Sequence, residues 1–260
     1  MNPSPLPVRR FHLVIAPRHD QLPQRTNVVQ TAGAVVNRIH DEDFLQARVR
    51  LQAHPKFRVD AQLPSLAGVR SKAETAHQHP VIAVFLGGET LHYELTQAFA
   101  DALMGQVKTA CEALDGWYLV TTSRRTSSGV EQLLSERVGH DPRCRLLLLA
   151  NRDPIDGTME GMLGSADVVV VTGESISMVS EACASGRRVI VVELPLREGR
   201  RLALTKHQRF LRDLVADGYV RLVPVSELGL TLQRAFAARQ APKRLDDFGA
   251  IREAVGRLLY

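Results

Sequence analysis

Residues 168–186 read VVVVTGESISMVSEACASG, an apolar run that passes through a glycine turn into a segment with helical periodicity. Four consecutive valines suit a strand covered on both faces, as parallel sheets require. Gly173 supplies a tight turn at the carboxyl end of that strand, where freedom to adopt positive φ would set glycine apart. Beyond it, Ile176, Val179, Ala182 and Cys183 form one apolar stripe, while Ser177 and Glu181 stand i, i+4 on another face. The first turn of such a helix has free backbone N–H groups and the positive end of the dipole, so it can hold an anion, with the Ser175 and Ser177 hydroxyls as added donors. Glu181, one turn further along, can then accept hydrogen bonds from vicinal hydroxyls. A phosphate followed at that distance by a diol describes a nucleotide sugar. An amphipathic helix capped by Ser175, with Glu181 in solvent, fits the same residues.

Working outward, strand and helix patterns alternate from residue 80 onward. Strands are expected at Val81–Leu86, Trp117–Thr122, Arg145–Ala150, Asp167–Thr172, Arg188–Leu194 and Tyr219–Pro224. Between them lie helical patterns at Leu95–Leu114, Gly129–Val138, Thr158–Leu163, the segment after Gly173 and Lys206–Asp217; two more helices close the chain. Ser128 and Glu131 have capping-box spacing. The alternation implies an α/β fold with a doubly wound parallel, Rossmann-like sheet and right-handed crossovers. Ligands of such sheets lie beyond the carboxyl ends of the strands, which makes residues 87–90, 121–125, 151–152, 173–177 and Glu193 the candidates. Residues 1–52 differ: two short strands, Phe11–Ala16 and Val28–Thr31, cannot form a core of their own. Residues 53–79 read as an irregular connection.

Composition narrows the function classes. Apolar residues make up 45% of the 260, ample for a buried core. No apolar run approaches the ~20 residues of a membrane span. The opening MNPSPLPVRR has three prolines and no apolar signal core, so a cytoplasmic protein is expected, with peripheral contact at the inner membrane left open. Cys111, Cys144 and Cys183 are widely spaced in apolar contexts, which suits reduced core thiols. The net charge of +5 comes mostly from 28 arginines scattered along the chain, and aromatic residues are only 5%, so a nucleic-acid groove is not supported.

Neither GxGxxG nor GxxxxGK[ST] occurs. Gly87-Gly88, after a strand, allows close approach of a phosphate or sugar to the backbone, or merely ends the strand. Ser123, Arg124 and Arg125 place two guanidinium groups at a strand end, and an arginine fork matches phosphate oxygens; Arg124 is the favoured one. Asp41, Glu42 and Asp43 precede a helical pattern and read as its acidic first turn. His77 and His79 lack a third ligand, and no metal is expected. His19-Asp20 ends a strand in a Pro-Arg-His-Asp turn, where the pair stands at a cleft edge as a proton acceptor or forms an ordinary polar turn.

Taken together, FLGGET (85–90), YLVTTSRRT (118–126), residues 168–186, and VIAPRHD (14–20) followed by NVVQTAGAVVNRI (27–39) resemble a bacterial glycosyltransferase-like family related to the plant "elongated mitochondria" fission protein. The resemblance implies a two-domain GT-B fold whose C-terminal Rossmann-like domain, here 80–260, binds a nucleotide-sugar donor without a further cofactor. It places Gly87 and Gly88 at the donor phosphates, Ser123 and Arg124 near the diphosphate, Gly173, Ser175 and Ser177 around it, and Glu181 on the ribose. His19 and Asp20 remain the candidates for base or acceptor contact. Residues 1–52 correspond to only the last part of the N-terminal, acceptor-side domain. The implied activity is transfer to a cell-envelope glycan or lipid acceptor. A non-catalytic nucleotide-binding or membrane-division scaffold, and a nucleotide-sugar epimerase or hydrolase, remain alternatives.

Overall fold

The computed structural model describes residues 7–34, 40–58, 79–197 and 206–259. Most of the 53–79 connection, including His77, lies outside them, as do residues 35–39. The described chain holds β1 (Val14–Pro17), β2 (Val28–Thr31), α1 (Asp41–Gln52), β3 (Val81–Leu86), α2 (Gln97–Ala113), β4 (Trp117–Thr122), α3 (Ser128–Arg137) and β5 (Cys144–Leu148). There follow α4 (Thr158–Ser165), β6 (Val168–Thr172), α5 (Ile176–Ala184), β7 (Arg188–Val192), α6 (Lys206–Ala216), β8 (Val220–Val223), α7 (Leu228–Ala237) and α8 (Phe248–Leu259).

β3 to β8 form one parallel sheet in the order β5-β4-β3-β6-β7-β8. The valine run does what its composition demands. Val168 and Val170 pack into the core under α2, α3 and α7, while Val169 and Val171 pack into the opposite core under α1, α4, α5 and α6. All four are buried. The fold is a doubly wound α/β sheet, and its strand order reverses between β3 and β6, where a crevice is expected beyond the strand ends. The three cysteines are buried thiols, and burial pushes each up to about 12, away from reactivity.

β1 and β2 form a separate two-stranded parallel sheet that leans on the larger unit. Its anchoring is specific. The Asp247 carboxylate accepts the N–H groups of Ala32 and Gly33, both at 3.0 Å, and Ser180 Oγ in α5 accepts that of Ala34 at 2.9 Å. Arg18 pairs with Asp217, and Lys206 with Asp20 at 2.6 Å. The acidic start of α1 behaves as its spacing implies, for Asp43 Oδ2 accepts the His40 N–H at 2.8 Å. Among the described residues no helix is long and apolar enough to cross a membrane.

Two local expectations are corrected. Ser128 is not the cap of α3; Ser127 is, accepting the Val130 N–H, and Glu131 turns inward instead. Gly173 does not adopt positive φ, which among the described glycines is found at Gly157, Gly186 and Gly218. Its smallness serves packing: a Cβ there would stand 2.9 Å from Leu211 Cδ1 and 3.2 Å from Val191 Cγ1. Because the nearest obstacle is the end of a leucine side chain, Gly173→Ala is expected to fold and lose only ~1 kcal/mol. A thermal melt checks this. A chain that fails to fold would restore the backbone explanation.

Candidate functional site

Beyond the carboxyl ends of β4 and β5, the chain builds one cleft of about 460 Å³. Its apolar walls are Phe85, Ile155, Met159 and Met178, and its polar lining includes Thr121, Ser123, Arg124, Asp153 and Glu181. The strand ends are held in place by a buried carboxylate. Glu131 Oε1 accepts from Thr122 Oγ1 at 2.9 Å and from Asn151 Nδ2 at 3.1 Å and its N–H at 3.3 Å, and Thr122 Oγ1 in turn accepts the Ala150 N–H at 2.8 Å. Thus β4, α3 and the loop after β5 are fastened at one point.

The 123–126 turn is equally tied. Ser123 Oγ accepts the Arg125 N–H at 3.1 Å, and Thr126 Oγ1 donates to the Gly87 carbonyl. This turn sends Arg124 to the cleft, exposed, while Arg125 stands on the side of Glu174 and His207. Across the cleft, Glu181 is half-buried on α5. Burial, reinforced by Glu160 of α4, raises its carboxyl from 4.5 to about 7. A carboxylate poised near neutrality, one arginine fork and apolar walls can receive a phosphate, a diol and a flat ring.

The structure does not gather every candidate here. Ser177 is exposed and lies outside the cleft lining; Ser175 is buried at the N-cap of α5, but its hydroxyl caps nothing, contrary to expectation. Gly173 lines a different hollow, between β7 and α6, with Glu193 and Leu211. The N–H groups of Gly87 and Gly88 are already taken within the protein. Gly87 N–H is taken by Thr172 Oγ1 and Gly88 N–H by Glu174 Oε1, both at 2.8 Å. Glu174 is 1% exposed, its Oε2 has no hydrogen-bond partner among the described residues, and burial raises its carboxyl. Where the strand order reverses, these two backbone N–H groups are therefore held by the protein's own side chains. Glu174 falls within the 173–177 candidates and Glu131 reads as a capping residue, but nothing in the residue pattern showed that their carboxyl groups turn inward, onto the Gly88 N–H and Asn151.

His19 is corrected as an open cleft-edge residue, while Asp20, partly exposed beside it, is paired with Lys206 at 2.6 Å. His19 is 2% exposed, edge-on to Phe210 at 5.1 Å between ring centroids, and its Nδ1 has no hydrogen-bond partner among the described residues. Burial lowers it from 6.5 to about 4, against the opposing pull of Asp20. A group depressed in the folded state contributes stability that is present above pH 6.5 and is lost as pH falls through about 4. His19→Leu is expected to flatten that acid limb in melts taken across this range and to leave ligand binding intact. An unchanged limb would show that His19 is not the group responsible.

The family described as Mitochondrial fission ELM1 matches residues 1–258. The chain belongs to this family. This member is 26% identical over 191 residues to Mitochondrial fission protein ELM1 of Arabidopsis thaliana, covering 71% of this chain and 43% of the plant protein. It thus spans less than half the length of that relative. Among solved structures it is similar to the UDP-GlcNAc 2-epimerase of Methanocaldococcus jannaschii in complex with UDP-GlcNAc and UDP, at 13% identity and a TM-score of 0.48, over 91% of this chain and 56% of the other. It is also similar to the glycosyltransferase SnogD of Streptomyces nogalater, at 13% identity and a TM-score of 0.37, over 76% and 48%.

Proposed function

We propose that this ELM1-family chain is the donor-binding half of a GT-B-type glycosyltransferase, holding a nucleoside-diphosphate sugar for transfer to a cell-envelope glycan or lipid acceptor. The observation that carries the reading is the convergence of Ser123, Arg124 and Glu181 on one cleft with apolar walls. In this reading Glu181 accepts the ribose hydroxyls, Ile155 and Met178 flank the base, and Arg124 faces the diphosphate. As the bond to the sugar breaks, negative charge grows on the departing diphosphate. The Arg124 guanidinium, at the strand end in the cleft lining, stabilises that charge. β1 and β2 then belong to the acceptor side, with α1 packed under the donor sheet, and ties through Ser180 of α5 and Asp247 before α8 hold that side in place.

The test is thermal stability of the chain with UDP, GDP, ADP, CMP and their sugar conjugates. A ligand that binds only the folded state, at 100 times its dissociation constant, adds about 2.7 kcal/mol. One nucleotide is expected to raise the melting temperature, less so for Arg124→Ala. If none does, the donor-binding reading fails. Product analysis with the bound donor alone distinguishes epimerisation or hydrolysis from transfer, since only transfer requires an acceptor.

A further inference from the structure

We propose that a second cleft, at the amino ends of β7 and β8, is an anion site for a phosphate-bearing ligand. It lies at the opposite end of the sheet from the Glu181 cleft, has a volume of about 410 Å³, and is closed by α7 and the segment 238–243. Four cationic side chains line it: Arg188, Arg221, Arg234 and Lys243. The acidic residue in the lining, Asp217, is paired with Arg18.

Two of the cations are held by neutral groups. The Arg188 guanidinium donates to the carbonyls of Ala238 at 3.2 Å and Gln240 at 2.6 Å. The Lys243 ammonium donates to the Asp217 carbonyl at 3.0 Å and sits 4.3 Å from the centroid of the Tyr219 ring. Such partners fix the position of a charge and leave it uncompensated. Arg221 and Arg234 are exposed and make no hydrogen bond or ion pair among the described residues. The contrast with other arginines is direct: Arg143 rests on Asp115, Arg197 on Glu89 and Arg244 on Asp41. Like charges gathered around one cavity repel unless an anion joins them. Guanidinium forks match phosphate oxygens two at a time, and the cavity has room for a phosphate with its substituents.

The phosphate has two sources, a soluble anion or a lipid headgroup. The experiment measures saturable binding of inorganic pyrophosphate by calorimetry, and flotation with phosphatidylcholine vesicles with and without phosphatidic acid. The parent, the Arg221→Ala/Arg234→Ala double variant and Arg124→Ala, which alters the other cleft, are compared. Both arginines replaced are exposed, so the double variant is expected to melt like the parent. Its affinity is expected to fall about tenfold or more, and parent binding to weaken as salt is added. Arg124→Ala retains this site. Pyrophosphate binding without flotation assigns a soluble ligand, and flotation only with phosphatidic acid assigns a headgroup; either supports the site. No binding of either probe, binding undiminished in the double variant, or binding lost through Arg124→Ala would overturn it. The last result would place the anion in the Glu181 cleft.

Discussion

Gly87→Ala is expected to lower stability by about 3 kcal/mol, a fall of roughly 6–12 °C in melting temperature for a domain of this size. A Cβ at Gly87 would overlap Glu174 Oε1 and lie 3.2 Å from Thr172 Oγ1. The carboxyl group would have to leave its pocket, freeing the Gly88 N–H that it now holds at 2.8 Å. Gly88 has no slack to absorb the move, because its own Cβ position is filled by the Arg125 backbone. The cause can be isolated by a double-mutant cycle. With Glu174→Ala already in place the obstacle is gone, so adding Gly87→Ala should cost ~1 kcal/mol, a coupling of about 2 kcal/mol between the two positions. Equal costs in both backgrounds would mean that the glycine serves the backbone and not the carboxyl group.

The same pair of residues shows where the amino-acid sequence stops being informative. Val81–Leu86 and Trp117–Thr122 are strands with the expected limits, because their largely apolar runs are covered on both faces, and Val28–Thr31 also keeps its expected limits, paired in parallel with β1. β5 ends earlier than its apolar run, at Leu148, because the Leu149 carbonyl turns to accept the N–H groups of Arg152 and Asp153. β1 starts at Val14 and not Phe11, since Asn27 Nδ2 holds the Val8 and Phe11 carbonyls in a preceding 3₁₀ turn. Ser123, Arg124 and Glu181 could be placed from local position alone, at a strand end and on a helix face. The inward contacts of Glu174 and Glu131 could not. Their partners, Gly88 and Asn151, are 86 and 20 residues away, and only the sheet order brings them together. Likewise His19 reads as a turn histidine until Phe210 covers it.

Glu181 is the residue on which the functional reading turns, and its charge state gives that reading a pH signature. Burial raises its carboxyl from 4.5 to about 7, so the folded chain holds a proton that the unfolded chain has released. The stability it contributes is complete below pH 4.5 and is lost as pH rises through about 7. Without ligand, Glu181→Gln is therefore expected to be more stable than the parent above that range. With ligand the order reverses. Ribose hydroxyls donate to the carboxylate, and losing such charge-assisted hydrogen bonds should weaken binding ~10- to 100-fold.

The most direct measurement is the affinity of a nucleotide sugar, whose diphosphate does not titrate near neutrality, for the parent and Glu181→Gln from pH 5.5 to 8.5 in steps of about half a unit, bracketing the raised carboxyl. Parent affinity is expected to climb as pH passes through about 7, with the variant weak and flat throughout. Parent and variant binding alike at every pH would show that Glu181 does not hold the ligand, and would contradict a donor site in the cleft between β4, β5 and α5.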